Sequence, residues 1–481
     1  MLDPLLLQSA RSLARQIRQR EVTSTQVVEA HIRQVERCNP QLNAMVQDRF
    51  AEARAEAQKA DDAVRTKPEG ELPPLHGVPC SIKECFALEG MPNTSGLMAR
   101  KGQLATHDAT AVKRLRAAGA IPLGVTNLSE LCMWMESNNR VYGRTNNPYN
   151  LRHIVGGSSG GEGAIVAAAG TPFGLGSDVG GSIRMPAFFN GIFGHKPTGG
   201  LIPNTGQYPC AENDALRYLT TGPLAKKAED LMPLVRLMAG PDGEDSRCIP
   251  FELGDPHAVD LREVTVLDVE DNGTTPVSDE LREAQRDCVR ALTQRGMKVT
   301  RARFKSLESS FDIWSSMLGS AGGKTFAELM GNGAPFPAWK ELARVWHPSS
   351  AFTLPGIVLA LLEPLGKVLP ARTQRFIDMG RALRAELADR LGPNGVMLYP
   401  SFPVVAPRHR APLLTPFQFV YTGIINVLEM PSTQVPIGLS ASGLPLGIQV
   451  VGSRGRDHVT IAVALALEEA FGGWVVPKMA S

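Results

Sequence analysis

The stretch Gly156-Gly157-Ser158-Ser159-Gly160-Gly161-Glu162-Gly163, followed by Asp178-Val179-Gly180-Gly181-Ser182-Ile183-Arg184, carries more information than any other part of this chain. It sets three serines among glycines around two tight turns. Glycine lets backbone approach a ligand closely and adopts positive φ without strain, so N–H groups can point into a site. Serines held on such turns can act as nucleophile and as proton relay. The stretch itself contains no base. That group must come from elsewhere in the chain.

The flanks set the fold class. Residues 8–36 carry Leu13, Ile17, Val22, Val27, Val28, Ile32 and Val35 at helical spacing, with Thr23-Ser24-Thr25 as an N-cap signal. Residues 50–65 are alanine-rich and charged, and 108–118 repeat the helical pattern. Short apolar strands are expected at Val78–Lys83, Ile121–Val125 and Phe173–Gly176, with helices at Gly163–Gly170 and Leu231–Met238. The alternation predicts an α/β protein, a large mixed β-sheet core flanked by helices on both faces. Val264–Val269 reads as a further strand and Asp279–Gly296 as a strong helix. Residues 305–390 then turn mostly helical and rich in Met, Trp, Phe and Leu, and Val396–Tyr399, Thr433–Pro436 and Leu446–Val451 return to strand before a closing helix, Asp457–Phe471. The expectation is one domain over residues 1–481, with a helical cap inserted at about 305–390.

Bulk composition narrows the function. The chain has 481 residues, 43% apolar and 20% charged, with a formal net charge of +2. Those values describe a globular protein, and no Lys/Arg block suits nucleic acid. Seven scattered cysteines form no CxxC pair and no zinc-like spacing with histidine, so no metal and no cofactor is expected. Free thiols predict a reducing, cytoplasmic setting. The longest apolar run, Ala351 to Leu362, is interrupted by Pro355 and falls short of the roughly 20 residues that span a bilayer. No basic n-region opens the chain.

None of the nine histidines sits in a nucleophile-elbow pattern. Lysine can serve as a base where burial and nearby donors lower its pKa. Lys83, at the end of Val78-Pro79-Cys80-Ser81-Ile82-Lys83-Glu84, is the best candidate, because a strand end can aim it into a site. Nucleotide-binding readings of the glycines fail. Glu162 stands where a P-loop needs lysine, and Gly174-Leu175-Gly176-Ser177-Asp178-Val179-Gly180 has one residue too many for a dinucleotide fingerprint.

The serine–glycine stretch, Gly180-Gly181-Ser182-Ile183-Arg184-Met185-Pro186 and the Lys83 segment together resemble the amidase signature family. Lys83 stands 75 residues before Ser158, and Ser158 24 before Ser182, in register with that family's pattern. Asn146-Asn147-Pro148, Lys196-Pro197-Thr198 and Gly443-Leu444-Pro445-Leu446-Gly447-Ile448-Gln449 extend the likeness over most of the chain. The resemblance implies a Ser–cis-Ser–Lys triad. Ser182 is then the nucleophile, and Ser158 the bridging serine behind a cis peptide bond from Gly157. Lys83 is the base, neutral at rest. The amides of Val179, Gly180, Gly181 and Ser182 form the oxyanion hole, with Ser159, Asp178 and Arg184 in support.

Several residues resemble the fatty-acid amide hydrolase branch, second type: Gly161-Glu162-Gly163, Ser137-Asn138-Asn139, Met185 through Pro197 including His195, and Phe471-Gly472-Gly473-Trp474. The membrane anchor of the mammalian enzyme is expected to be absent. The implied activity is hydrolysis of linear amides with hydrophobic acyl or aryl groups, and of carbamates (urethanes) or esters. Trp314, Met317, Leu318, Trp339, Trp346, Phe352, Leu354, Ile357, Val358, Leu361 and Leu362 could line an acyl channel or touch a bilayer peripherally. A monomer or homodimer is expected. The alternative is the glutaminase subunit of a tRNA-dependent amidotransferase, working with a partner.

Overall fold

A computed structural model of the chain describes residues 2–347, 350–363 and 370–480. Its strands are β1 (Met45–Asp48), β2 (Pro79–Lys83), β3 (Ile121–Thr126), β4 (Asn138–Asn139), β5 (Gly143–Arg144), β6 (Phe173–Asp178), β7 (Phe193–Lys196), β8 (Thr220–Ala225), β9 (Thr265–Asp268), β10 (Lys298–Arg301), β11 (Gly395–Tyr399), β12 (Ser432–Leu439) and β13 (Pro445–Gly452). Among the described residues, β4 and β5 form a small hairpin and the other eleven form one sheet, ordered β1-β3-β2-β6-β8-β7-β12-β13-β11-β9-β10.

The sheet is mixed. The neighbours β3, β2 and β6 run parallel, as do β11, β9 and β10, while antiparallel pairs fill the middle. Strand alternation sends successive side chains to opposite faces. In β11, Val396 and Leu398 join one core with the helix Asp457–Phe471, while Met397 and Tyr399 join another with Leu383 and Leu387 of the helix Pro370–Leu391. Both faces are therefore covered by helices. Strands β2, β3, β6 and β8 are buried along their whole length, as expected for strands packed on both sides.

The expected elements form with small shifts of their ends. Thr23 caps the helix Ser24–Leu42 in a capping box with Gln26. In the eleven-stranded sheet, β1, β7, β8 and β10 are unforeseen. Their sequences (MVQD, FGHK, TTGPLA, KVTR) mix polar, glycine or proline residues into short runs, and sheet neighbours rather than local pattern make them strands.

The helix expected at Gly163–Gly170 instead runs Gly160–Ala167, so the glycine run forms its first turn. The reason is close packing. A Cβ on Gly161 would lie 2.5 Å from the Asn127 backbone nitrogen and 2.7 Å from the Ala44 carbonyl oxygen, and one on Gly160 would lie 2.3 Å from Ser137 Oγ. Left-handed φ is used in this region at Gly156 (+79°) and Gly181 (+115°).

Between 305 and 391 the chain forms helices at Ser310–Ser320, Phe326–Gly331, Ala338–Arg344, Leu354–Leu362 and Pro370–Leu391. Residues 348–349 and 364–369 of the expected insertion lie outside the described residues. The apolar side chains singled out there divide. Met317 and Ile357 are buried, whereas Trp339 and Trp346 are 75% and 81% exposed and so line no interior channel. Among the described residues, no helix is long and apolar enough to cross a membrane.

Close packing at Gly161 sets an expectation. Gly161→Ala meets backbone atoms that cannot rotate away, so it should destabilise by about 1–3 kcal/mol or more. Gly70→Ala, where a Cβ meets nothing within 4 Å, should stay within about 0.5 kcal/mol of the parent. Thermal or denaturant melts of the two variants make the comparison.

Candidate active site

Parallel pairing of β2 with β6 brings their C-terminal ends to one edge of the sheet, where ligands bind in open α/β folds. Lys83 ends β2 and Ser177-Asp178 ends β6. Lys83 Nζ lies 2.7 Å from Ser158 Oγ and 2.9 Å from Ser177 Oγ. The bond from Gly157 to Ser158 is cis. Lys83 and Ser158 are completely buried, while Ser182 retains 6% of its surface.

Ser177 was not foreseen. Its only sequence signal is its place at the end of a strand, and that becomes telling once the strand is known to lie beside β2. Ser159 bonds its backbone. Ser159 Oγ donates to the Ser177 carbonyl (3.2 Å) and accepts from the Ser177 amide (3.4 Å). The Ser159 amide donates to the Ser182 carbonyl at 3.2 Å, which joins the two serine turns.

The turn Asp178–Arg184 is braced by a buried ion pair. Asp178 accepts from the amides of Gly181 (2.7 Å), Ile183 (3.0 Å) and Arg184 (3.4 Å), and from Arg184 Nε and Nη2 (3.1 and 3.0 Å). Burial opposes the charge on Asp178, but the Arg184 guanidinium and the Ile183 amide outweigh it and hold the carboxyl below the usual range. Arg184 also donates to Gln449 Oε1 (2.9 Å) and Asn426 Oδ1 (2.6 Å).

The backbone of this turn is tied down carbonyl by carbonyl. The Asp178 carbonyl accepts from Asn426 Nδ2 (2.8 Å), Val179 from Trp314 Nε1 (3.0 Å), Gly180 from Thr422 Oγ1 (2.9 Å), and Gly181 from the Met185 amide (2.7 Å). Among the described residues, the amides of Val179, Gly180 and Ser182 have no partner within the protein. Gly181 departs from the expected set of four, because its amide is drawn inward to Asp178. An aromatic wall stands beside the turn. Trp314 and Phe419 meet edge to face at 4.8 Å, as do Phe311 and Phe417 at 4.6 Å. A Cβ on Gly180 would lie 3.5 Å from the Phe419 ring and 3.6 Å from that of Trp314.

Two carboxylates sit behind Lys83. Glu84 accepts from the Thr94 and Ser95 amides, Thr94 Oγ1 and Tyr142 Oη. Glu162 accepts from Ser81 Oγ and Thr126 Oγ1, each at 2.6 Å, yet burial pushes its carboxyl up to about 7. His195, another mark of the resemblance, is a buried structural residue bonded to Thr433 Oγ1 and Asp457 Oδ1.

Comparison with known proteins agrees with this architecture. The amidase family model matches residues 26–461. The chain belongs to the amidase signature family and is an amide-hydrolysing enzyme. It is 47% identical to human fatty-acid amide hydrolase 2 over 99% of this chain and 91% of that protein. It is 31% identical to the indoleacetamide hydrolase of Bradyrhizobium diazoefficiens, over 98% of this chain and 87% of that protein. The solved structure of 6-aminohexanoate cyclic dimer hydrolase matches with a TM-score of 0.82 and 28% identity, covering 99% of each chain.

Glu162 generates a pH prediction. Its folded pKa of about 7 lies above the ordinary 4.5, so the folded state holds its proton more tightly than the unfolded chain. The stability it contributes is complete below about pH 4.5 and is lost as pH rises through about 7. Glu162→Gln removes this titration. Between about pH 5 and about pH 8 the variant should lose less thermal stability than the parent, and a pH-independent difference in melting temperature would contradict it.

Proposed function

We propose that this enzyme hydrolyses linear amides with hydrophobic acyl or aryl groups through an acyl-enzyme on Ser182, using Ser158 as relay and Lys83 as base. The 2.7 Å approach of Lys83 Nζ to Ser158 Oγ carries this reading. Ser182 is the nucleophile because it alone of the three retains accessible surface. Its Oγ bonds to the substrate carbonyl carbon while its proton passes to Ser158 Oγ, whose own proton passes to Lys83 Nζ. The carbonyl oxygen becomes an oxyanion held by the amides of Val179, Gly180 and Ser182, a kind of donor worth roughly 3–4 kcal/mol each. The C–N bond then breaks and the relay, run in reverse, protonates the departing amine. Water enters by the same path to release the acid.

Substrate class follows from the surroundings of the turn. Trp314, Phe419, Phe311 and Phe417 form an apolar wall against Gly180, which favours a fatty or aryl acyl group over a small polar one such as glutamine. Likeness to human fatty-acid amide hydrolase 2 supports the same class. We read the helices between 305 and 391 as the cap that selects this group. Carbamates and esters form the same tetrahedral oxyanion and belong to the accessible range.

Ser182→Ala should abolish turnover with an unchanged melting temperature. Lys83→Ala should lose most of the activity and displace the pH–rate profile, and an unchanged profile would move the base elsewhere. Acyl p-nitroanilides of graded chain length, an aryl carbamate and glutamine test the substrate class. Rates that rise with chain length are expected. A flat series with fast carbamate cleavage would indicate a urethane hydrolase, and glutaminase activity that requires a partner would overturn the proposal.

A further inference from the structure

Asp178 ties down the amides of Gly181, Ile183 and Arg184, but the Val179–Gly180 peptide of the oxyanion turn has no such tie to Asp178. Gly180 and Gly181 adjoin within the turn, and a residue without Cβ offers little resistance to rotation of its peptide plane. The orientation of the Val179–Gly180 peptide is therefore imposed from outside the turn. In a planar trans peptide the C=O and the following N–H point in opposite directions. Among the described residues the cis bonds are at Gly157–Ser158 and Tyr208–Pro209, so every peptide of this turn is trans. Holding the Val179 carbonyl therefore sets the direction of the Gly180 amide.

The donors that hold the carbonyls differ in origin. Asn426 and Thr422 belong to one buried helix, Val420–Val427, and the Met185 amide belongs to the helix that follows the turn. Trp314 comes from the helix Ser310–Ser320, 135 residues away in sequence. Its ring also packs edge to face on Phe419 at 4.8 Å and lies 6.4 Å from Phe311. One side chain thus touches both the oxyanion turn and the apolar wall.

We propose that Trp314 is a positioning residue for the reaction: its indole N–H, by holding the Val179 carbonyl, aims the Gly180 amide at the oxyanion. The inference rests on the reading of Ser182 and its amides above. When the indole donor is absent, the Val179–Gly180 peptide can rotate and its amide loses alignment with the developing charge. Ground-state binding of the acyl group, which depends on the ring rather than the N–H, is largely kept.

Two variants separate the N–H from the ring. Trp314→Phe keeps an aromatic ring without the donor. Site-specific incorporation of 3-benzothienylalanine at 314 keeps the full bicyclic shape and replaces N–H by sulfur. Both should lower kcat about 10- to 100-fold, less than outright loss of an oxyanion donor in the most sensitive cases. KM should stay within about two-fold and thermal stability within about 2 °C. Affinity for an acyl trifluoromethyl ketone, which forms a tetrahedral oxyanion on the serine, should fall in parallel with kcat/KM. Inhibition by the carboxylic acid product should not change. Full kcat in the benzothienyl variant, or ketone affinity that does not follow kcat/KM, would overturn the role of Trp314. Fluorophosphonate labelling of the parent, lost in Ser182→Ala, checks the underlying reading. If the parent is not labelled, the Ser182 assignment fails and this inference with it. If it is labelled and the Trp314 variants are unimpaired, the inference alone fails.

Discussion

The buried pair of Asp178 and Arg184 is the constraint on which the site depends. A carboxylate taken out of water needs compensation, and here three backbone amides and a guanidinium supply it. Those partners are the turn itself, so satisfying the charge also folds the backbone around it. Arg184 then extends the hold to Gln449 on β13 and to Asn426 on the helix Val420–Val427. Removing either partner would leave a buried charge uncompensated, typically a loss of about 3–5 kcal/mol. The network fixes where Ser182 stands and which amides remain without a partner.

A second layer holds Lys83 and Ser158. Ser159 Oγ bonds the backbone of Ser177, while Lys83 Nζ bonds both Ser177 Oγ and Ser158 Oγ, so the end of β6 is tied to the serine turn from two sides. Gly161 lets the helix that follows Ser159 lie directly on backbone at Asn127 and Ala44, and Gly160 lets it lie against the Ser137 and Val155 side chains. Their use is close approach of protein to protein, where their density alone had suggested a cradle for a ligand. The two requirements draw on the same property, the missing Cβ.

Much of the sheet was legible because buried parallel strands are short, apolar and flanked by breakers. β2, β3 and β6 have that character, and the periodic helix Asp457–Phe471 was equally plain. Strands such as TTGPLA and KVTR were not legible, since pairing with neighbours decides them. Lys83, Ser158 and Ser182, the residues proposed for the chemistry, stand out through motif spacing and the family resemblance. Ser177, Trp314, Thr422 and Asn426 do not, because each is ordinary in its own stretch and acquires meaning only from what it touches 94 to 248 residues away.

The sequence by itself determined the family, the reaction class and the residues proposed to bear the chemistry, since these depend on residue type at set spacing along the chain. Only the tertiary structure decided that Gly181 is committed to Asp178, that Val179, Gly180 and Ser182 keep amides unpartnered among the described residues, and that Trp314 stands against the turn while Trp339 and Trp346 face outward. The physical reason is that a backbone amide points where its peptide plane is held, and distant side chains do the holding.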